Sequence, residues 1–286
     1  MRKIVIGALA ALSLAAPAFA KDPVFVTGTA VKDKPAVALS PTMAYVMMRS
    51  DTAVPLYLMK VPSAEDQAAY DKMRADALVK AHAKFVRKQK EYNSAVKFNA
   101  ELASGTPRQP LPEKPVEPTE ANFEFTPFPL LAGMSIGPLN RFAKADGGVS
   151  TYLQELTPGE YRIYGPLAVM PNGAAMGSCF CMGSVAFVAK AGEIVDLGVM
   201  EAKANAPGKR PAGDSSAPMF ADGQFLVPAT TPPDPRLSGA RIVQSKFRPV
   251  GKLPNYYGMT ISRIPAMPGV MRYDRDRIVD LTSGGN

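Results

Sequence analysis

The chain has 286 residues, 47% of them apolar, with two cysteines, one histidine, no tryptophan and 28 prolines. Its 33 basic residues exceed the 25 acidic ones by eight, a mild excess that suits an anionic partner without requiring one. A single histidine rules out any site built on two, and the length allows one large or two small domains.

The first twenty residues carry the pattern of a secretory signal. Arg2 and Lys3 precede an apolar run from Ile4 to Ala16, and Ala18-Phe19-Ala20 fits the small-x-small cleavage rule. Cleavage after Ala20 is the expectation; it leaves 31 basic against 25 acidic residues, a charge of +6. No later stretch approaches the ~18 apolar residues of a spanning helix, so no transmembrane segment is expected. The expected location is periplasmic or secreted, in a bacterium.

Beyond the signal, Val24, Val26 and Val31 suggest an extended lead-in. Ala44–Arg49 and Leu56–Val61 read as strands joined at Ser50-Asp51-Thr52, a β-hairpin. The period then changes. Ser63 is a fitting N-cap for a helix with Glu65 and Asp66 in its first turn, and neither Gly nor Pro interrupts the chain until Gly105 and Pro107. A single helix of ~40 residues would be ~60 Å long, and a break near Asn93-Ser94 giving two antiparallel helices is the competing reading. Leu78, Phe85 and Tyr92 recur at sevens beside Val79, Val86 and Val96. This stripe can pack on the sandwich or on a second copy, but His82 and Gln89 interrupt it and it does not make a long coiled coil. Lys84, Arg87 and Lys88 share a face by the i, i+3, i+4 rule and form a candidate anion-contact face. No aromatic or motif support for nucleic-acid binding accompanies them.

Thr106 to Thr119, with five prolines, reads as a stiff polyproline linker back to the sheet. Phe123-Glu124-Phe125 then alternates. From Thr151 to Met200 the alternation is plainest, with Pro158-Gly159 and Ala191-Gly192-Glu193 as tight turns; the stretch reads as two hairpins, half of a sandwich. Residues 202–286 are rich in Ala, Gly and Pro at first, with short strands near Arg241–Val243, Tyr256–Ile264 and Val270–Asp280.

Most chemical motifs fail on context. Gly133-Met134-Ser135-Ile136-Gly137 matches G-x-S-x-G, but Pro138 follows where a helix should start, and the one His lies upstream. Ser94-Ala95-Val96-Lys97 matches S-x-x-K with no K-T-G anywhere. His82 reads as a structural helix residue. Asp274, Asp276 and Asp280 alternate with Arg275 and Arg277 and lack the glycine and final Glu of a calcium loop. Cys179-Phe180-Cys181 resists dismissal, because residues two apart on a strand project to one face. Three readings compete, in this order: a Cys179–Cys181 disulfide, inert or intermolecular thiols, and a Cu(I) site completed by Met176, Met182 or Met170. Zinc lacks enough further ligands.

The Tyr45–Arg49 strand, the Pro158-Gly159-Glu160-Tyr161 turn and the Ala191-Gly192 … Leu197-Gly198 turn together resemble uncharacterised bacterial envelope proteins. These include lipoprotein-type β-sandwich modules and PEGA-like domains. The resemblance covers the sandwich core only, and it implies an envelope location with no assigned catalytic residues. The chain departs from it in lacking a lipobox Cys and in carrying the helix and the Pro-rich tail.

The expected architecture is mainly β: an Ig-like or transthyretin-like β-sandwich from residues 21–63 and 119–201. A helical insertion occupies 64–105, a Pro-rich linker 106–118, and a C-terminal arm with short strands 202–286. The expected function is a non-enzymatic envelope protein that binds or scaffolds another protein or envelope component. No cofactor is expected, no nucleic acid is bound, and the helix is available for oligomerisation. The alternative function is a copper or redox role at Cys179 and Cys181.

Overall fold

The computed structural model describes residues 23–144, 148–200 and 225–283; the expected signal segment and the Ala202–Met219 stretch lie outside the described residues. The fold is mainly β, with two multi-stranded sheets and one long helix. The first sheet contains β1 (Gly28–Ala30), β2 (Ala44–Ser50), β5 (Ala143–Lys144), β6 (Ser150–Leu156), β10 (Glu193–Met200), β11 (Phe225–Val227) and β12 (Arg241–Gln244). Its order is β1-β6-β2-β10-β11, with β5 on β6 and β12 on β10. The second contains β3 (Leu56–Lys60), β4 (Gly133–Ile136), β7 (Gly159–Val169), β8 (Ala175–Cys179), β9 (Ser184–Ala189), β13 (Arg248–Gly251) and β14 (Thr260–Ile261). Here the order is β13-β9-β7-β3-β4, with β8 on β7 and β14 on β8. A separate hairpin joins β15 (Met271–Asp274) to β16 (Arg277–Asp280).

The sheets face each other across a core of Ala44, Val46 and Met48 from β2 against Leu56 and Leu58 from β3, with Tyr161, Ile163, Val185 and Phe187. Two sequence expectations are corrected here. Ala44–Arg49 and Leu56–Val61 do not form a hairpin: β2 pairs with β6 and β10, whereas β3 pairs with β4 and β7. Similarly, the turns at Pro158-Gly159 and Ala191-Gly192 join β6 to β7 and β9 to β10, each pair divided between the sheets. The physical reason is burial on both sides. Every residue of β2 and of β3 is buried, so a tight turn can as well pass the chain across the core as fold it back along one sheet.

The outer faces are covered too. On the first sheet Tyr45, Met47, Leu153 and Ile194 pack under Val37, Leu39, Phe142 and Leu237. Arg236 fastens this layer. Its Nη1 donates to Asp33 and to the Lys34 carbonyl at 2.6 and 2.8 Å, its Nη2 to Asp234 at 2.8 Å, and its guanidinium lies 4.4 Å over the Phe142 ring. That bond holds the Asp234 carboxyl below its ordinary range despite partial burial. The segment after Phe225 supplies strands to both sheets rather than only lying along them.

Beneath the outer layer of the first sheet, Arg49 on β2 meets Asp196 on the parallel strand β10. Arg49 Nη1 donates to both carboxylate oxygens at 3.1 and 2.9 Å, and the Gly198 amide donates to the same carboxylate at 2.9 Å. The residues are 5% and 7% exposed. Gly198 is obligatory: its φ is +95°, and a Cβ there would lie 2.2 Å from the Val227 carbonyl oxygen. Removing one partner of such a pair strands a buried charge. Arg49→Ala is therefore expected to cost about 3–5 kcal/mol in urea unfolding, and Arg49→Met with Asp196→Leu clearly less. Equal losses in the two variants would remove the pair from the account.

Candidate functional site

The connection between β3 and β4 is the elaborated part of the fold. These neighbours pair antiparallel, Leu56 opposite Ile136, and the Lys60 amide donates to the Ala132 carbonyl at 2.9 Å. The chain thus leaves and returns at one point on the sheet edge. Between lies α1 (Ala64–Glu101), unbroken over 38 residues, which rises about 57 Å. No break occurs at Asn93-Ser94. The sequence supports one helix there, because Asn and Ser cost only a few tenths of a kcal/mol where neither Gly nor Pro adds to them.

The helix is fixed at its root. Ser63 and Asp66 form a reciprocal capping box, and Lys60 donates to Asp66 at 2.7 Å. Burial would raise the Asp66 carboxyl, but its bonds from Lys60 and Ser63 outweigh this and hold it below its ordinary value. Ala69, Tyr70 and Met73 pack with Phe25, Leu131 and the short helix α2 (Phe128–Leu131).

Past this root, α1 is met by its own return segment among the described residues. Asn99, the one buried residue of α1, donates to the Gln109 carbonyl at 2.7 Å and accepts from the Gln109 amide at 2.9 Å. His82 sits 3.2 Å from Glu117, Arg74 pairs with Glu120, and Tyr70 donates to the Thr126 carbonyl at 3.0 Å. From His82 to Asn99 the helix rises about 25 Å; the return from Gln109 to Glu117 covers it in eight residues, about 3.1 Å each, the rise of polyproline II. Pro112, Pro115 and Pro118 recur at its three-residue period, and Pro115 and Pro118 are half-buried. The half-buried helix stripe includes Leu78, Ala81, Phe85 and Tyr92, the apolar sevens seen in the sequence. Phe123 and Phe125 belong to this layer, not to a strand: Phe125 lies 5.6 Å from the Tyr70 ring.

Lys84, Arg87 and Lys88 are exposed on the distal half of α1, with Glu91 3.9 Å from Arg87 one turn on. The cysteines lie elsewhere, on the outer face of the second sheet. Cys179 and Cys181 are disulfide-bonded and buried among Tyr57, Tyr164 and Leu253, with Tyr256 and Tyr257 half-buried over them. The Tyr57 and Tyr257 hydroxyls bond at 2.8 Å, and Gly133 leaves the room this needs, since a Cβ there would lie 2.0 Å from the Tyr57 hydroxyl. Burial raises the phenols of both Tyr57 and Tyr164 above their ordinary value. The thiolates that copper would need are consumed in the disulfide, and Met170 and Met176 are exposed while the sulfurs are buried.

The remaining motif residues are separated. Ser135 is exposed on the edge strand β4, and the chain beyond it bends through 137–140 without a helix. His82 is on α1 with Glu117. Asp274, Asp276 and Asp280 serve the β15–β16 hairpin, paired with Arg277, Arg263 and the Thr282 and Ser283 hydroxyls respectively. Among the described residues no group of three His, Cys, Asp or Glu side chains could hold a metal ion, and no helix is long and apolar enough to cross a membrane. The polyproline return along α1 had a sequence signal, the three-residue proline period opposite a seven-residue apolar stripe, but Asn99 as its clamp did not. Comparison with protein-family models, curated proteins and solved structures gave no match.

Asn99→Ala removes both bonds to Gln109. It is expected to make residues 106–117 roughly five- to thirtyfold more sensitive to proteolysis, a local loss of about 1–2 kcal/mol, while the sandwich keeps its unfolding midpoint. Unchanged cleavage would show that the return is held by its prolines alone.

Proposed function

We propose that the protein is an exported, non-enzymatic component of the bacterial cell envelope that binds or scaffolds another component through the α1 hairpin. One observation carries this reading. A 38-residue helix is inserted at a sheet edge, fastened at its root and along its return, and presents an exposed basic face that no other element among the described residues uses. Such a rigid arm keeps its contact residues in place without a partner and so lowers the ordering cost of binding. The signal pattern of residues 1–20 and the likeness of the turns to envelope sandwich modules support export. The passages of the chain between the sheets at β2–β3, β6–β7 and β9–β10 support an Ig-like or transthyretin-like sandwich. A catalytic role has less to stand on, because Ser135, His82 and the cysteines occupy separate places.

In cells, a photo-crosslinker at position 91 is expected to capture an envelope component. The triple change Lys84→Glu, Arg87→Glu, Lys88→Glu is expected to reduce that capture at least tenfold without altering thermal unfolding, since the three side chains are exposed. Retention of the whole protein in the cytosolic fraction, or capture indifferent to the charge reversal, would sink the proposal.

A further inference from the structure

The return segment covers one side of α1 and leaves a second stripe bare. Ala75, Val79, His82, Val86, Gln89, Asn93 and Val96 alternate at spacings of four and three, which places them on one seam of the helix; all but the half-buried Gln89 are exposed, and of them His82 touches the return segment, at Glu117. Val79 is 69% exposed, Val86 54% and Val96 39%. A groove of about 430 Å³ opens on the same side, between Val86, Gln89, Asn93 and the Lys90 and Lys97 side chains.

The charges of the hairpin are segregated along its length. Divided at the His82–Glu117 contact, the root half (residues 64–82 and 117–127) has seven acidic against three basic residues, net −4. The distal half (residues 83–116) has seven basic against three acidic, net +4. A copy of the hairpin laid alongside in the same direction would set like charge on like. Laid in the opposite direction, each +4 half lies on a −4 half. Charge of this kind selects orientation as well as partner.

We propose that the occupant of the bare seam is a second copy of this chain, paired antiparallel through α1. Centring the pair on Lys84 sets Val86 of one copy by His82 of the other, Ala75 by Asn93, and Lys97 by Asp71. Small and polar seam residues make this a reversible, salt-dependent contact rather than a permanent one. The inference rests on the reading of the hairpin as the contact element and names its partner.

The test uses the full exported chain in sedimentation velocity and cysteine trapping. At about 0.05 M salt a dimer is expected, weakening roughly tenfold or more at about 0.5 M as the charges are screened. Val86→Glu, on an exposed site, should return the chain to monomer with its unfolding midpoint intact. Copies carrying Ala75→Cys, mixed with copies carrying Asn93→Cys, should form a mixed disulfide, which requires Cα atoms within about 7 Å. Ala75→Cys alone should not, because like positions then stand about 27 Å apart along the axis. A monomer at low salt, or self-crosslinking by Ala75→Cys alone, would overturn the inference. Envelope capture by a strictly monomeric protein would do so while leaving the proposed function standing; self-association without an envelope component would do the reverse.

Discussion

The parallel pairing of β2 with β10 is the contact on which the rest of this structure depends. It places Tyr45 beside Ile194 and Arg49 beside Val199, on strands separated in sequence by the long helix and by β3 to β9. The buried Arg49–Asp196 pair lies on this junction, with the Gly198 amide completing the carboxylate's bonds. Once β2 and β10 are side by side, β3 and β9 must lie in the facing sheet, since each is joined to its predecessor or successor by a short crossing of the core. A nonlocal parallel contact of this kind forms at a high loop-closure cost. The fold offsets that cost by burying both faces of its central strands, and the Arg236 clamp secures the layer that covers one of them.

The hairpin obeys a different constraint. An isolated helix of this length with no Gly or Pro would form in part by propensity alone, but its apolar stripe would remain wet. The polyproline return answers this without a second helix: it needs no hydrogen bonds of its own and matches the rise of α1 between Asn99 and His82. Both ends emerge from adjacent strands of one sheet edge. The arm can therefore vary in occupancy or partner without disturbing the sandwich, and its basic distal half stands farthest from the root. The disulfide and its tyrosines form a third, separate unit that secures the outer face of the second sheet.

The strands, the helix and its N-cap could be read from the sequence because each rests on local chemistry: alternation around Tyr161 and Ile163, Ser63 before Asp66, the gap in Gly and Pro up to Gly105. Pairing could not. Ala44–Arg49 and Leu56–Val61 look like a hairpin to any local reading, and only their burial on both faces, a property of the assembled layers, divides them between sheets. At the candidate site the basic face of Lys84, Arg87 and Lys88 and the closeness of Cys179 to Cys181 follow from periodicity alone. The role of Asn99 does not, since a polar residue on a lysine-rich helix gives no sign that a linker ten residues on will bond to it.

The arm, its polyproline return and the pairing along its seam all depend on α1 being one straight helix. Spin labels at Asp76 and Glu101, both exposed, with labelled chains diluted in unlabelled ones, test this by electron–electron resonance. A continuous helix separates the two positions by about 38 Å, and a single narrow distribution near that value is the predicted result. A distribution centred below about 20 Å would mean a chain folded back near Asn93, and it would contradict the rigid arm, its polyproline return and the pairing built on its seam.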